Sequence, residues 1–176
     1  MKTFVILLRG VTPTGKNKVL MTPLRAALSK AGLKDVRTYI QSGNVVAASD
    51  LSRSRIEKLV HDVIEKNSGG DITVLARTAA QFRSTLERNP FTHADTSRLY
   101  FTHLVSPPDP NLLKDFLSMD FSPDAVRVVD NTIYTLYATK YSDSKFNNNF
   151  FERKLKIAAT TRNFNTMTKL VELASV

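Results

Sequence analysis

The sequence predicts an α+β fold made of two ferredoxin-like β-α-β-β-α subdomains, with antiparallel sheets and helices packed on one face. Three observations carry this. The order β-α-β-β-α is read twice, over residues 3–67 and 99–158. Split β-α-β units of this kind lay their helices on one side of an antiparallel sheet. The chain has 176 residues of which 42% are hydrophobic, enough for a sizeable core and too apolar for disorder. No glycine-rich linker divides it, so a first half at 1–90 and a second half with the C-terminal helix at 91–176 are expected to form one compact unit.

Thr3-Phe4-Val5-Ile6-Leu7-Leu8-Arg9 is short and continuously apolar, a buried strand. A long turn follows from Gly10 to Leu20, punctuated by Pro13 and Gly15. Thr22-Pro23 reads as a cap with proline at the first helical position. Leu24, Ala27, Leu28 and Ala31 then repeat at helical spacing until Gly32. Val36–Ile40 and Asn44–Ala48 are strands of a hairpin that turns at Gln41-Ser42-Gly43-Asn44. Ile56, Leu59, Val60, Val63 and Ile64 mark the clearest helix, ended by Gly69-Gly70. Ile72–Ala76 is a strand and Thr78–Arg88 a helix that stops at Asn89-Pro90.

The second half repeats the order. Leu99–Val105 is a strand, broken by Pro107-Pro108, and Asn111–Met119 a short helix. Ala125–Val129 and Thr132–Tyr137 form a hairpin turning at Asp130-Asn131. Phe150–Ala158 and Phe164–Ala174 are the last two helices. No residue-level repeat accompanies the repeated order.

Charge is uneven. The chain carries 25 Lys+Arg against 16 Asp+Glu, a formal net charge of +9. Residues 1–90 hold 15 basic and 7 acidic groups, 91–139 hold 3 and 6, and 140–169 hold 7 and 2. Two basic segments thus flank an acidic middle, and together they suit phosphate, nucleic acid or an acidic partner. Cysteine is absent, which removes disulfides, thiol nucleophiles and Cys-ligated metals. The apolar run Phe4–Leu8 is too short for a signal segment or a membrane span, so no membrane association and a cytoplasmic location are expected.

Gly10-Val11-Thr12-Pro13-Thr14-Gly15-Lys16-Asn17 fits G-x-x-x-x-G-K after a strand. A phosphate-binding P-loop needs Ser or Thr next, to hold magnesium, and runs straight into its helix. Asn17 and the late helix start argue against one. The loop retains the means to hold an anion through backbone N–H groups and Lys16. At the other end, Arg162, Asn165, Thr166 and Lys169 lie at i, i+3, i+4, i+7 on a helical projection, opposite Phe164, Met167, Leu170, Val171 and Ala174. A guanidinium, an amide, a hydroxyl and an ammonium at a helix start suit phosphate or carboxylate.

Other chemistry is not signalled. His61, His93 and His103 lack metal-ligand spacing, no metal site is indicated, and no G-x-S-x-G or G-x-G-x-x-G occurs. The strand Asn44–Ala48 lacks the aromatics with which RNA-recognition folds stack bases.

Several segments together resemble one bacterial family, domain of unknown function 1697. They are Leu8-Arg9-Gly10, Gly15-Lys16-Asn17-Lys18-Val19, Arg37–Val46, Arg77-Thr78, Asn89-Pro90-Phe91, Ser144-Lys145, and Thr161-Arg162-Asn163-Phe164-Asn165-Thr166 with Lys169-Leu170. The resemblance covers nearly the whole chain and implies paired ferredoxin-like subdomains. It assigns neither an activity nor a cofactor. Thr14 stands where the family has a glycine, and Phe164 where it has tryptophan; Asn17 follows the family's pattern.

The expected function is binding of a phosphorylated or anionic small ligand in a basic cleft formed by the first loop and the C-terminal motif. The candidate ligand-binding residues are Arg9, Gly10, Gly15, Lys16, Asn17, Gln41, Ser42, Asn44, Ser144, Lys145, Arg162, Asn163, Asn165, Thr166 and Lys169. Two alternatives stand beside it, besides the bland one of a structural interaction protein. One is weak, salt-dependent nucleic-acid binding. The other is an enzyme acting on a phosphate ester through Lys16, Lys145 or Lys169.

Overall fold

The computed structural model describes every residue from Met1 to Val176. Its order is β1 (Lys2–Leu8), α1 (Met21–Lys30), β2 (Lys34–Thr38), β3 (Asn44–Ser49), α2 (Arg53–Ser68), β4 (Val74–Thr78) and α3 (Ala79–Glu87). The series then repeats as β5 (Leu99–Leu104), α4 (Pro110–Leu117), β6 (Ala125–Val129), β7 (Thr132–Leu136), α5 (Asn148–Leu155), β8 (Ala159–Asn163) and α6 (Phe164–Ala174). Two four-stranded antiparallel sheets result, ordered β2-β3-β1-β4 and β6-β7-β5-β8. In each, a strand joined to another through a helix is separated from it by one antiparallel strand, the split β-α-β arrangement. No helix is long and apolar enough to cross a membrane.

The chain forms two compact units, Met1–Ser84 with Lys169–Val176, and Thr85–Thr168. Both divisions fall inside a helix, α3 and α6.

In the first unit, alternate residues of the strands explain the packing. Phe4, Ile6, Leu8, Val45, Ala47, Val74 and Ala76 share a buried cluster with Leu24 and Leu28 of α1 and Ile56, Val60 and Ile64 of α2. Side chains alternate across a sheet, so Val5 and Leu7 point to the other face, and both are 0% exposed. From Phe4 to Leu8 the strand is buried on two faces and leaves no place for a polar side chain, which is why this part of β1 reads as an unbroken apolar run. In the second unit, Leu104, Val126 and Ile133 pack with Phe116, Phe150, Phe151 and Leu155. The phenylalanines meet edge-on, with Phe116 and Phe151 centroids 5.8 Å apart.

The structure differs from the sequence reading at five places, each for a physical reason. β2 runs from Lys34 to Thr38, two residues earlier than expected, because Ile40 at φ 48° has left the extended conformation. α1 starts at Met21, with Leu20 at its cap and no side-chain cap from its neighbours. The first-turn donor of Met21 reaches instead the Gln41 Oε1 atom, 3.4 Å away on the β2–β3 hairpin. Thr22 and Pro23 therefore lie within the first turn. β4 is shifted two residues later than expected because Arg77 and Thr78, although polar, pair with Val5 and Phe4. α5 starts earlier, where Asn147 Oδ1 accepts from Phe150 N, and stops at Lys156, which is left-handed at φ 52°. Finally, Ala159–Asn163 form a strand paired to β5, so the second half completes a β-α-β-β-α-β order. Arg162 consequently sits on a strand, and the polar helical stripe through it does not exist.

That last strand also exposes a repeat at residue level. Arg77 and Arg162 are each the fourth of five residues in the closing strand of their sheet. Each guanidinium donates to the carbonyl of the residue before it, Ala76 at 2.8 Å and Thr161 at 2.9 Å. Each is followed by a residue that caps the next helix. Thr78 Oγ1 accepts from Gln81 N, and Asn163 Oδ1 accepts from Thr166 N.

Candidate functional site

The first loop is built by its own backbone. Arg9 N donates to Thr73 O and Thr12 N to Asn17 O, while Lys18 N donates to Gly15 O at 3.2 Å. Gly10 and Gly15 take φ of +71° and +79°, conformations that cost an L side chain about 1 kcal/mol or more. Lys16 passes close to the loop after α2: a Cβ on Gly70 would lie 2.9 Å from Lys16 O. The loop is thus a folded bracket, and Lys16 and Lys18 project from it exposed, with no carboxylate paired to either.

The hairpin tip meets this bracket. Leu8 N donates to Gly43 O at 2.9 Å. Asn44 is fully buried, and its amide donates to Tyr39 O and to Ser42 Oγ. Gln41, Ser42, Asn44 and the loop residues Gly10–Asn17 are therefore neighbours through Leu8 and Val11. Between loop and tip lies a cleft of about 490 Å³ lined by Val11, Thr12, Pro13, Lys18, Val19, Leu20, Ile40, Gln41 and Ser42. Its charge comes from Lys18, its hydrogen-bonding groups from Thr12, Gln41 and Ser42, and its remaining walls are apolar. Leu20 and Ile40 were not legible as lining residues, because nothing in a sequence tells an apolar loop residue facing solvent from one anchoring the loop. Arg9 is half-buried at the base of the loop.

The second unit holds most of the C-terminal candidates, which serve local structure there. Arg162 is 8% exposed, and its guanidinium reaches Thr160 Oγ1 at 2.6 Å as well as Thr161 O. Burial lowers its pKa to about 10. Asn163 caps α6, Thr166 is buried, and Asn165 is exposed. Ser144 donates to Asp124 Oδ2 and accepts from Phe146 N, closing a turn. Lys145 is exposed, with its ammonium 5.2 Å from the Phe146 ring centroid. Lys169, grouped with the first unit, pairs with Glu172 at 3.1 Å.

A polar chain not seen in the sequence runs through the second unit. Thr102 Oγ1 lies 2.8 Å from Thr161 Oγ1, which donates to Asn148 Oδ1, and the Asn148 amide donates to Ala159 O and Glu152 Oε1. His103 is buried with its Nε2 3.2 Å from Met167 Sδ. On the surface of α2, His61, Asp62 and Glu65 bring possible ligand atoms within 4.8 Å of one another. Lys58 and Asp71 already engage Asp62 and His61, giving an exposed ion-pair cluster. Val5 and Leu7 of β1, like Phe101 of β5 and Tyr134 of β7, are buried, so none of them offers an exposed side chain for base stacking.

Residues 1–134 match a family described as Protein of unknown function (DUF1697). Among solved structures, the chain is similar to the conserved bacterial protein SP0830 from Streptococcus pneumoniae, with a TM-score of 0.79 and 22% identity over 98% of both chains. At that identity the likeness shows the fold. No curated protein matches.

Proposed function

We propose that this chain, which belongs to the DUF1697 family, is a binding protein for a small phosphorylated or otherwise anionic ligand, received by the first-loop cleft. The observation that supports this is the meeting of the loop and the hairpin tip around a cleft whose charged group is Lys18 and whose amide donor is Gln41, the Thr12 hydroxyl being committed to Thr14 O and Ser42 Oγ to the Asn44 amide. An ammonium with an adjacent amide donor is a common anion-binding chemistry, and the exposed Lys16 adds to the local field. Gln41 already spends its carbonyl oxygen on Met21 N, which leaves its amide N–H groups as what it offers a ligand.

The test is thermal denaturation with calorimetric titration. Inorganic phosphate, pyrophosphate and small carboxylates are compared with chloride at matched ionic strength. A ligand at a hundred times its Kd stabilises by about 2.7 kcal/mol, which is readily seen. Lys18→Glu is expected to abolish the effect without unfolding the protein, since the side chain is exposed. The exposed Lys145 and Asn165 of the second unit are tested separately, by Lys145→Glu and Asn165→Asp. No stabilisation by any of these anions at about ten millimolar would refute the reading.

A further inference from the structure

We propose that the ligand of the first-loop cleft is amphiphilic: a phosphate monoester of an apolar alcohol, such as an aryl or short alkyl phosphate. Its hydrocarbon part lies against Leu20 and Ile40 and its charge toward Lys18. The inference rests on the anion-binding reading above and adds what the remainder of the ligand must be.

Two observations carry it. The first is exposure. Leu20 is 54% exposed and Ile40 53%, two of the few large apolar side chains left open to solvent, and both line the same cleft, one from each segment. The second is backbone strain. Ile40 has φ +48°, a left-handed conformation that a β-branched residue adopts only when its surroundings impose it. The neighbours impose it here: Tyr39 N donates to Asn44 O, and the buried Asn44 amide holds Tyr39 O and Ser42 Oγ. Asn or Gly would occupy this position without strain. An isoleucine half open to water recovers little of that cost by burial in the free protein. Strain kept at an exposed position beside a cleft is the mark of a residue held for contact with something else.

Charge complementarity fixes the class of occupant. Lys18 lines the cleft and no carboxylate does, so an apolar ligand without charge would leave the cleft's cation unused, and a bare anion would leave Leu20 and Ile40 in water. One molecule carrying both features satisfies the two. A cleft of about 490 Å³ accommodates a monocyclic or short-chain phosphate ester.

Calorimetric titration with inorganic phosphate, phenyl phosphate and phenol decides the matter. The expected result is phenyl phosphate binding at least about tenfold more tightly than inorganic phosphate, with no measurable binding of phenol. Ile40→Asn, which should raise the melting temperature because asparagine tolerates the left-handed backbone, is expected to bring the ratio of the two affinities to about one. Leu20→Ser provides the same comparison without touching the strained residue. Equal affinities for phosphate and phenyl phosphate in the unaltered protein overturn this inference and leave the anion-binding reading standing. Absence of binding by all three probes overturns both. Phenol binding as tightly as phenyl phosphate also overturns both, because the charge then contributes nothing. A concentration-dependent dimer that Ile40→Asn dissolves identifies the occupant as a second copy of the chain and rejects the small-molecule proposal.

Discussion

Gly43→Ala tests whether the hairpin tip is locked onto the first loop as tightly as the geometry says. Gly43 has φ +85°, and a Cβ there would lie 2.8 Å from Leu8 Cβ, 3.1 Å from Leu8 O and 3.1 Å from Val11 Cγ2. Two of these atoms belong to the backbone or sit directly on it, so no side-chain rotation relieves the overlap. The left-handed conformation costs alanine about 1 kcal/mol relative to glycine. Forcing the strand and tip apart adds about 1–3 kcal/mol, the usual range for overpacking. The total is about 2–4 kcal/mol. Gly69→Ala is the control: Gly69 ends α2 at φ +73° and a methyl added there would meet nothing within 4 Å, so only the conformational cost of about 1 kcal/mol applies. Urea denaturation followed by circular dichroism measures both. If the two alanine variants lose the same stability within about 0.5 kcal/mol, the tip yields freely and the reasoning about a preformed cleft fails.

Further outcomes follow from groups the structure satisfies internally. Tyr137→Phe removes a hydroxyl that donates to Phe146 O at 2.6 Å in the interior, and should cost about 1–3 kcal/mol in urea denaturation. Burial pushes the Tyr134 phenol up to about 12 and that of Tyr137 higher still, so an ultraviolet titration should leave both unionised at about pH 11 while the fold persists. Thr161→Val keeps the shape but strips partners from Thr102 and Asn148, with an expected loss of about 1–3 kcal/mol. Hydrogen bonds to Asp71 first, and then to Asp62, raise the His61 pKa above its ordinary 6.5. Its stabilising contribution is thus complete below 6.5 and is lost as pH rises through the raised folded value; His61→Gln should flatten that part of the thermal stability profile.

The repeated β-α-β-β-α order was legible because α2 and the β6–β7 hairpin keep a recognisable apolar periodicity and β1 is a short run apolar throughout. The strand β8 escaped notice for the opposite reason. Thr160, Thr161 and Arg162 carry no apolar alternation, since their side chains are held by hydrogen bonds to Thr102, Asn148 and one another instead. The true start of α1 was equally hidden, because its first donor is met by Gln41, twenty residues along the chain. For the candidate site, the polar residues of the first loop and tip could be named in advance, because glycines and amides cluster there. Ile40 could not: its interest lies in a backbone angle held by the hydrogen bonds between Tyr39 and Asn44. Arg162 stood out as a charge, yet it is the burial of that charge against Thr160 and Thr161 that defines its surroundings.

The grouping of Lys169–Val176 with the first unit has a consequence for how the polypeptide matures on the ribosome. Residues 85–168 emerge as an uninterrupted stretch, whereas the first unit, although translated earlier, receives its last segment from the end of the chain. Arg83 donates to Ser175 Oγ and Arg37 to Val176 O, so that segment arrives to find its anchors already in place. The unit begun first is therefore the one finished last, and nascent chains stalled before residue 169 should lack whatever protection the bonds of Arg83 and Arg37 give the complete chain.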